Sequence, residues 1–190
     1  FVRAFKNNEL EYPRFYRVLP EEAVYARLRE EMLLTGGKPL SADPHDLRYH
    51  VAAQGLELRP NVVVVMLESM SADFMATFGN PLHLTPTLDR LTGESLFFPR
   101  AFAAGTRTVR GLEALALALP PTPGNAIVRR PQNEHLFSLA SVFNAKGYAS
   151  AFLYGGYGYF DNMNAFFGGN GYTVIDLWAV DPGTIHHETI

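Results

Sequence analysis

Arg59-Pro60-Asn61-Val62-Val63-Val64-Val65-Met66-Leu67-Glu68-Ser69-Met70-Ser71 runs apolar without interruption from Val62 to Leu67, stops on a carboxylate, and passes into small polar residues. A half-buried strand alternates apolar and polar side chains. An unbroken β-branched run predicts instead a strand buried on both faces, the central strand of a parallel sheet. Ligands of open α/β sheets bind beyond the carboxyl ends of such strands, and Glu68 stands at that address. The same Glu also suits the start of the following helix, so helix capping and a metal or catalytic role weigh equally here.

Downstream, Ser69 to about Phe78 reads as a short helix. Thr85-Pro86 opens another, with Thr85 as N-cap and Pro86 at the first helical position, and Gly93 breaks it. Ser95 to Phe102 reads as an extended segment near an edge, because of Pro99. Then comes Gly105-Thr106-Arg107-Thr108-Val109-Arg110-Gly111, followed by Leu112, Leu115, Ala116 and Leu119 at helical spacing. A hydroxyl at the start of a helix, reached through a glycine turn, is one way to present a nucleophile. The helix N-terminus and Arg107 suit an incoming phosphate or sulfate. The plain alternative makes Thr106 or Thr108 an N-cap and leaves both arginines solvated. The apolar stripe starts the helix near Thr108 and leaves Thr106 in the turn.

Residues 120–135 form a long proline-rich loop, of a length often tied to function. Leu136 to Lys146 reads as a helix ended by Gly147, and Ala149 to Tyr154 as a second buried strand. That strand enters Gly155-Gly156-Tyr157-Gly158-Tyr159-Phe160-Asp161, a loop whose rings suit a polar or sugar-like ligand. Tyr172 to Ile175 reads as the last strand. His186-His187-Glu188 lacks the spacing of a metal-binding helix and takes no site.

Upstream, residues 1–19 mix aromatics with charges and show no period; they read as docking onto the core. A helix spans Glu21 to Leu34, started by Pro20 and ended by Gly36-Gly37, and a connector follows to Pro60. The main domain begins near residue 55, after an N-terminal linker and helical segment over 1–54. In 190 residues, 47% hydrophobic and 18% charged content supports a sizeable core. A net charge of −3 without a basic stripe gives no footprint for nucleic acid. The chain has no cysteine, which rules out disulfides and thiolate metal sites, and no apolar stretch long enough to span a bilayer. The starting Phe1 and final Ile190 suggest a piece of a longer chain.

The ordered set Pro60–Ser69, Leu84-Thr85-Pro86-Thr87-Leu88-Asp89, Gly105-Thr106-Arg107-Thr108, Lys146-Gly147-Tyr148 and Tyr154-Gly155-Gly156 resembles the extracytoplasmic catalytic domain of the lipoteichoic acid synthase family. These are phosphoglycerol transferases of the alkaline phosphatase/sulfatase superfamily, and the likeness covers about residues 59–178. Gly-Thr-Arg-Thr-Val-Arg-Gly and Tyr-Gly-Gly-Tyr-Gly-Tyr-Phe-Asp look like a Gram-negative branch. The resemblance implies an incomplete α/β three-layer sandwich around a mostly parallel sheet. It implies that Glu68 and Thr108 bind a divalent cation (manganese or magnesium, with zinc as the alternative) and that Thr108 attacks phosphorus. Arg107, Tyr154 and Tyr157 would contact substrate. The family's Asp-His metal pair has no counterpart here, and Tyr154, Asp161 and Met163 stand near the positions of its other substrate contacts.

The implied partners are a phospholipid headgroup donor and a glycan or lipid acceptor. The implied location is the inner membrane, with the full-length protein membrane-anchored after a segment preceding Phe1 and its catalytic domain in the periplasm. A sulfatase-type hydrolase is the enzyme alternative, although its Cys/Ser-x-Pro-x-Arg motif is missing. A non-catalytic module binding glycan or lipid headgroups on the same fold is the other.

Overall fold

The computed structural model describes residues 12–122 and 124–179. Two compact units divide between Met66 and Leu67. In the first, helix α1 (Glu21–Leu34) takes the expected bounds, with Pro20 at its N-cap and a turn through Gly36 at φ 76°. Its apolar stripe buries only Met32, while Val24, Leu28 and Leu33 stay exposed. The connector that follows carries a small antiparallel pair, β1 (Lys38–Pro39) and β2 (Tyr49–His50). Arg29 ties α1 to the intervening loop through the carbonyl of Asp43 at 2.7 Å, and His45 meets Glu22 at 2.9 Å.

The run from Val62 to Leu67 departs from the expected central strand. It joins neither sheet of the described residues and leaves all six side chains exposed, Val63 at 83%. A strand covered on both faces needs a ladder neighbour and a helix layer on each face, and the described residues place neither around it. Among the described residues the architecture is α/β with two two-stranded sheets.

In the second unit the expected helix after Ser69 is two separate 3₁₀ turns, Ala72–Phe74 and Ala76–Phe78. Ser71 caps the first by accepting from the Asp73 amide, and Met75 between them is extended. Helix α2 (Pro86–Glu94) starts as expected after Thr85, but the Thr85 hydroxyl donates to Asp89 Oδ2 at 3.0 Å and does not cap. Residues 96–98 and 101–103 carry no strand pairing, with a turn at Pro99-Arg100.

Helix α3 (Thr108–Leu117) is the centre of the core. Val109, Leu112, Glu113, Ala116 and Leu117 face inward, the i, i+3, i+4, i+7, i+8 pattern of one helix face. Leu115 and Leu119, expected inside, are exposed. Helix α4 (Leu139–Ala145) begins later than expected, because the Leu136 amide donates to Asn170 Oδ1 at 2.7 Å and Ser138 forms a capping box with Ser141. Strands β3 (Ala151–Leu153) and β4 (Thr173–Ile175) pair in parallel around helix α5 (Met163–Gly169). Only Phe152 and Val174 turn toward the core, so β3 is half-buried where two covered faces were expected. Phe152 stacks on Phe167 at 3.7 Å, and Phe166 beside it is fully buried.

A polar knot runs through this core. Glu113 is fully buried, accepting from Arg110 Nη1 at 2.8 Å and from the Ile127 amide. Arg110 also donates to the carbonyls of Thr122, at 2.9 Å, and Gly124. Removing one partner of a buried charge pair leaves the other uncompensated. Glu113→Ala is therefore expected to cost about 3–5 kcal/mol in urea unfolding. Glu113→Gln, which keeps an acceptor for the Ile127 amide, is expected to cost clearly less. Equal losses would show that the carboxylate charge is the whole contribution.

A second prediction concerns Asp89, which accepts from the Thr77 amide at 2.8 Å and the Thr77 hydroxyl at 2.7 Å. Those two bonds, the amide first, hold its carboxyl down from 3.8 to about 2. Because the folded value is depressed, the stabilisation is present above 3.8 and disappears as pH falls through about 2. A carboxyl NMR titration is expected to give an Asp89 midpoint near 2, and Thr77→Val is expected to raise it.

Candidate functional site

Leu67 ends the apolar run and Ser69 turns the chain with a left-handed φ of 53°. A non-glycine residue in this region is uncommon and carries local backbone cost. Here it swings the chain aside directly after Glu68, and the Ser69 hydroxyl donates to Glu68 Oε1 at 3.2 Å. The other carboxylate oxygen, Oε2, accepts from the Thr108 hydroxyl at 2.8 Å, across forty positions of chain.

Thr108 is the first residue of α3, and Arg107 is the N-cap in extended conformation, φ −127° and ψ 141°. No side chain caps this helix, so its N-terminal end keeps donor capacity for an anion or water. Val109 is buried, and the 100° step per residue leaves Thr108 facing out. Thr106 stays in the preceding bend, as expected. Gly105 serves close approach more than turning: a Cβ there would stand 2.8 Å from the Arg110 Cβ. The glycine thus lets the entry loop lie against the arginine that holds Glu113.

Two oxygens 2.8 Å apart are hydrogen-bonded. They also have the separation of neighbouring ligands on a magnesium-sized octahedron, about 2.9 Å for bonds of about 2.0–2.1 Å. Both are hard oxygen donors, which suit magnesium or manganese, and they fit such an ion as two of its corners. Among the described residues no group of three or more acidic or histidine side chains joins them.

The remaining expected site residues divide. Arg107 is exposed beside Thr108, and no carboxylate among the described residues pairs with it. Tyr154 packs on the core and stacks with Phe152 at 6.3 Å, while Tyr157 lies against Tyr159 and Trp178. Neither tyrosine hydrogen-bonds to Glu68 or Thr108 among the described residues. Asp161 is an ion-pair partner of Arg129 and Met163 is core, so both are structural here. His186, His187 and Glu188 lie outside the described residues. Sequence reasoning missed Glu113 and Asp176, both buried. For Glu113 the signal was present, since it shares a helix face with Val109, Leu112 and Ala116.

A solved structure of a protein in the alkaline phosphatase superfamily from Vibrio parahaemolyticus matches with a TM-score of 0.55 and 37% identity, over 63% of this chain and 30% of that one. N-acetylgalactosamine-6-sulfatase of Sus scrofa is 27% identical over 107 residues, 48% of this chain and 20% of that protein. The fold is thus that of the alkaline phosphatase superfamily. The family described as Sulfatase matches residues 60–182, which include Glu68, Arg107 and Thr108, and the chain belongs to it. It spans less than a third of the length of either relative.

Two oxygen ligands leave most of a cation's coordination to water. Manganese titration of this chain by calorimetry is expected to show binding weaker than about 10 μM, lost in Glu68→Ala. Tight binding that survives that substitution would move the metal elsewhere.

Proposed function

We propose that the chain is part of a metal-dependent phosphoglycerol or phosphoethanolamine transferase of the lipoteichoic acid synthase-like, Gram-negative branch, membrane-anchored with its catalytic domain in the periplasm. The observation that carries the reading is the 2.8 Å hydrogen bond from Thr108 to Glu68 at an uncapped helix N-terminus. Thr108 Oγ1 attacks the headgroup phosphorus of a phospholipid donor while its proton passes toward Glu68 Oε2. The phosphorus–oxygen bond to the diacylglycerol breaks, and that oxygen leaves as the alcohol after protonation. An acceptor hydroxyl on a glycan or lipid then attacks the phospho-threonine, and Thr108 regains its proton. Arg107 and the first turn of α3 hold the phosphoryl oxygens. Superfamily members generally use divalent metals; such an ion, held by Glu68 and Thr108, would neutralise phosphoryl charge and acidify the hydroxyl.

A sulfatase-type hydrolase is the second reading, favoured by the likeness to N-acetylgalactosamine-6-sulfatase. A threonine in the nucleophile's place and the lack of any cysteine favour phosphoryl transfer over it. A non-catalytic headgroup- or glycan-binding module would instead show binding without turnover.

The test uses the full-length protein with phosphatidylglycerol and phosphatidylethanolamine as donors and an aryl sulfate as the competing substrate. Thr108→Ala is expected to abolish transfer with an unchanged circular dichroism spectrum. Thr106→Ala, which removes no cap, is expected to keep activity and to change stability by no more than about 0.5 kcal/mol. A trapped phospho-adduct is expected on Thr108 by mass spectrometry. An adduct on Thr106, or sulfate release without phosphoryl transfer, would overturn the reading.

A further inference from the structure

The loops that leave β3 and β4 at their carboxyl ends expose three aromatic rings together. Tyr157 and Tyr159 lie nearly parallel, centroids 5.9 Å apart and planes at 20°, and Trp178 stands 5.1 Å from Tyr157. Tyr159 is 66% exposed, Trp178 75% and Tyr157 43%. None belongs to the core. Clustered exposed rings of this kind mark a binding surface more often than scattered ones do.

What distinguishes the cluster is that its backbone is fixed from below. Asp176 is buried, with one carboxylate oxygen accepting the Gly158 amide at 2.9 Å and the other the Trp178 amide at 3.0 Å. The Leu177 amide donates to the Gly156 carbonyl at 3.0 Å. One carboxylate therefore clamps the loop bearing Tyr157 and Tyr159 to the segment bearing Trp178. Gly158 is required for it, because a Cβ there would stand 2.8 Å from Asp176 Oδ2. Burying a carboxylate to hold solvent-facing rings makes sense where the rings must be pre-set for a ligand.

We propose that Tyr157, Tyr159 and Trp178 form a platform that binds a pyranose ring of a neutral glycan. Tyr and Trp join a flat apolar face to a polar edge, and the weakly positive C–H face of a sugar complements the negative face of a ring. The neighbouring charges are already used: Asp176 by two backbone amides and Asp161 by Arg129. The proposal rests on the transferase reading only in making that glycan the acceptor.

The experiment is calorimetry and indole fluorescence on the full-length protein, titrated with cellohexaose, maltohexaose and, separately, phosphatidylglycerol vesicles. At least one oligosaccharide is expected to bind and to perturb the fluorescence of Trp178, with Trp178→Phe identifying its contribution. Tyr159→Ala and Trp178→Ala remove exposed rings that support no core, and each is expected to weaken binding about tenfold. Gly158→Ala is expected to weaken it with all three rings retained. Absence of saccharide binding, binding unchanged in the ring variants, or vesicle binding that depends on Trp178 would each overturn the platform. Binding is read without turnover. A failed platform thus leaves the transferase reading untouched, and an inactive protein that binds glycan leaves the platform standing.

Discussion

The second unit depends on Arg110 and Glu113, one turn apart on α3 and both drawn inward. Glu113 is fully buried, and a lone carboxylate there would carry a desolvation cost of several kcal/mol. Arg110 and the Ile127 amide offset that cost together, and the same arginine reaches the carbonyls of Thr122 and Gly124. The long proline-rich loop thereby acquires a fixed path across the helix that presents Thr108. Ala126 and Val128 follow it into the core, against Leu112, Ala116 and Phe166. Without the ion pair, a segment with four prolines and one short 3₁₀ turn has little of its own to order it.

That fixed helix makes the Thr108–Glu68 contact meaningful. Two unrelated local devices bring the pair together. Left-handed Ser69 redirects the chain directly after Glu68, and Gly105 lets the entry loop lie against Arg110. A hydroxyl 2.8 Å from a carboxylate at an uncapped helix end is the contact on which the proposed phosphoryl transfer rests. Its neighbour Arg107 adds a positive charge that the described residues do not neutralise with a carboxylate. Residues 60–182, which contain this point, match the sulfatase family. No helix among the described residues is long and apolar enough to cross a membrane.

Asp176 does for the aromatic rings what Glu113 does for the loop. In both cases a buried carboxylate accepts main-chain amides and converts a glycine- or proline-rich segment into a surface with one shape. Asn170 repeats the device with an amide side chain, bonding the Asn133 and Phe166 carbonyls at 2.7 Å and the Leu136 amide at 2.7 Å. The fold thus relies on side chains that satisfy loop backbone, because its loops are long and its sheets short.

From sequence alone, local chemistry was legible. Helices α1 and α3 were readable to their first residues, because Pro20 fixes one start and the stripe through Leu112 and Ala116 phases the other. The placement of Thr108 in the first turn and Thr106 outside it followed from that phase. The ordered motifs were enough to indicate the superfamily. Tertiary structure decided what periodicity cannot carry. Among the described residues it left Val62 to Leu67 outside both sheets, since an apolar run states a preference for burial but not which neighbours supply the ladder. It also decided that Glu113 is inside, that Glu68 meets Thr108 and that Tyr154 packs on the core while Tyr157 joins Trp178. Each of these rests on contacts between residues distant in sequence or on a partner that makes burial of a charge tolerable, and neither is written in local pattern.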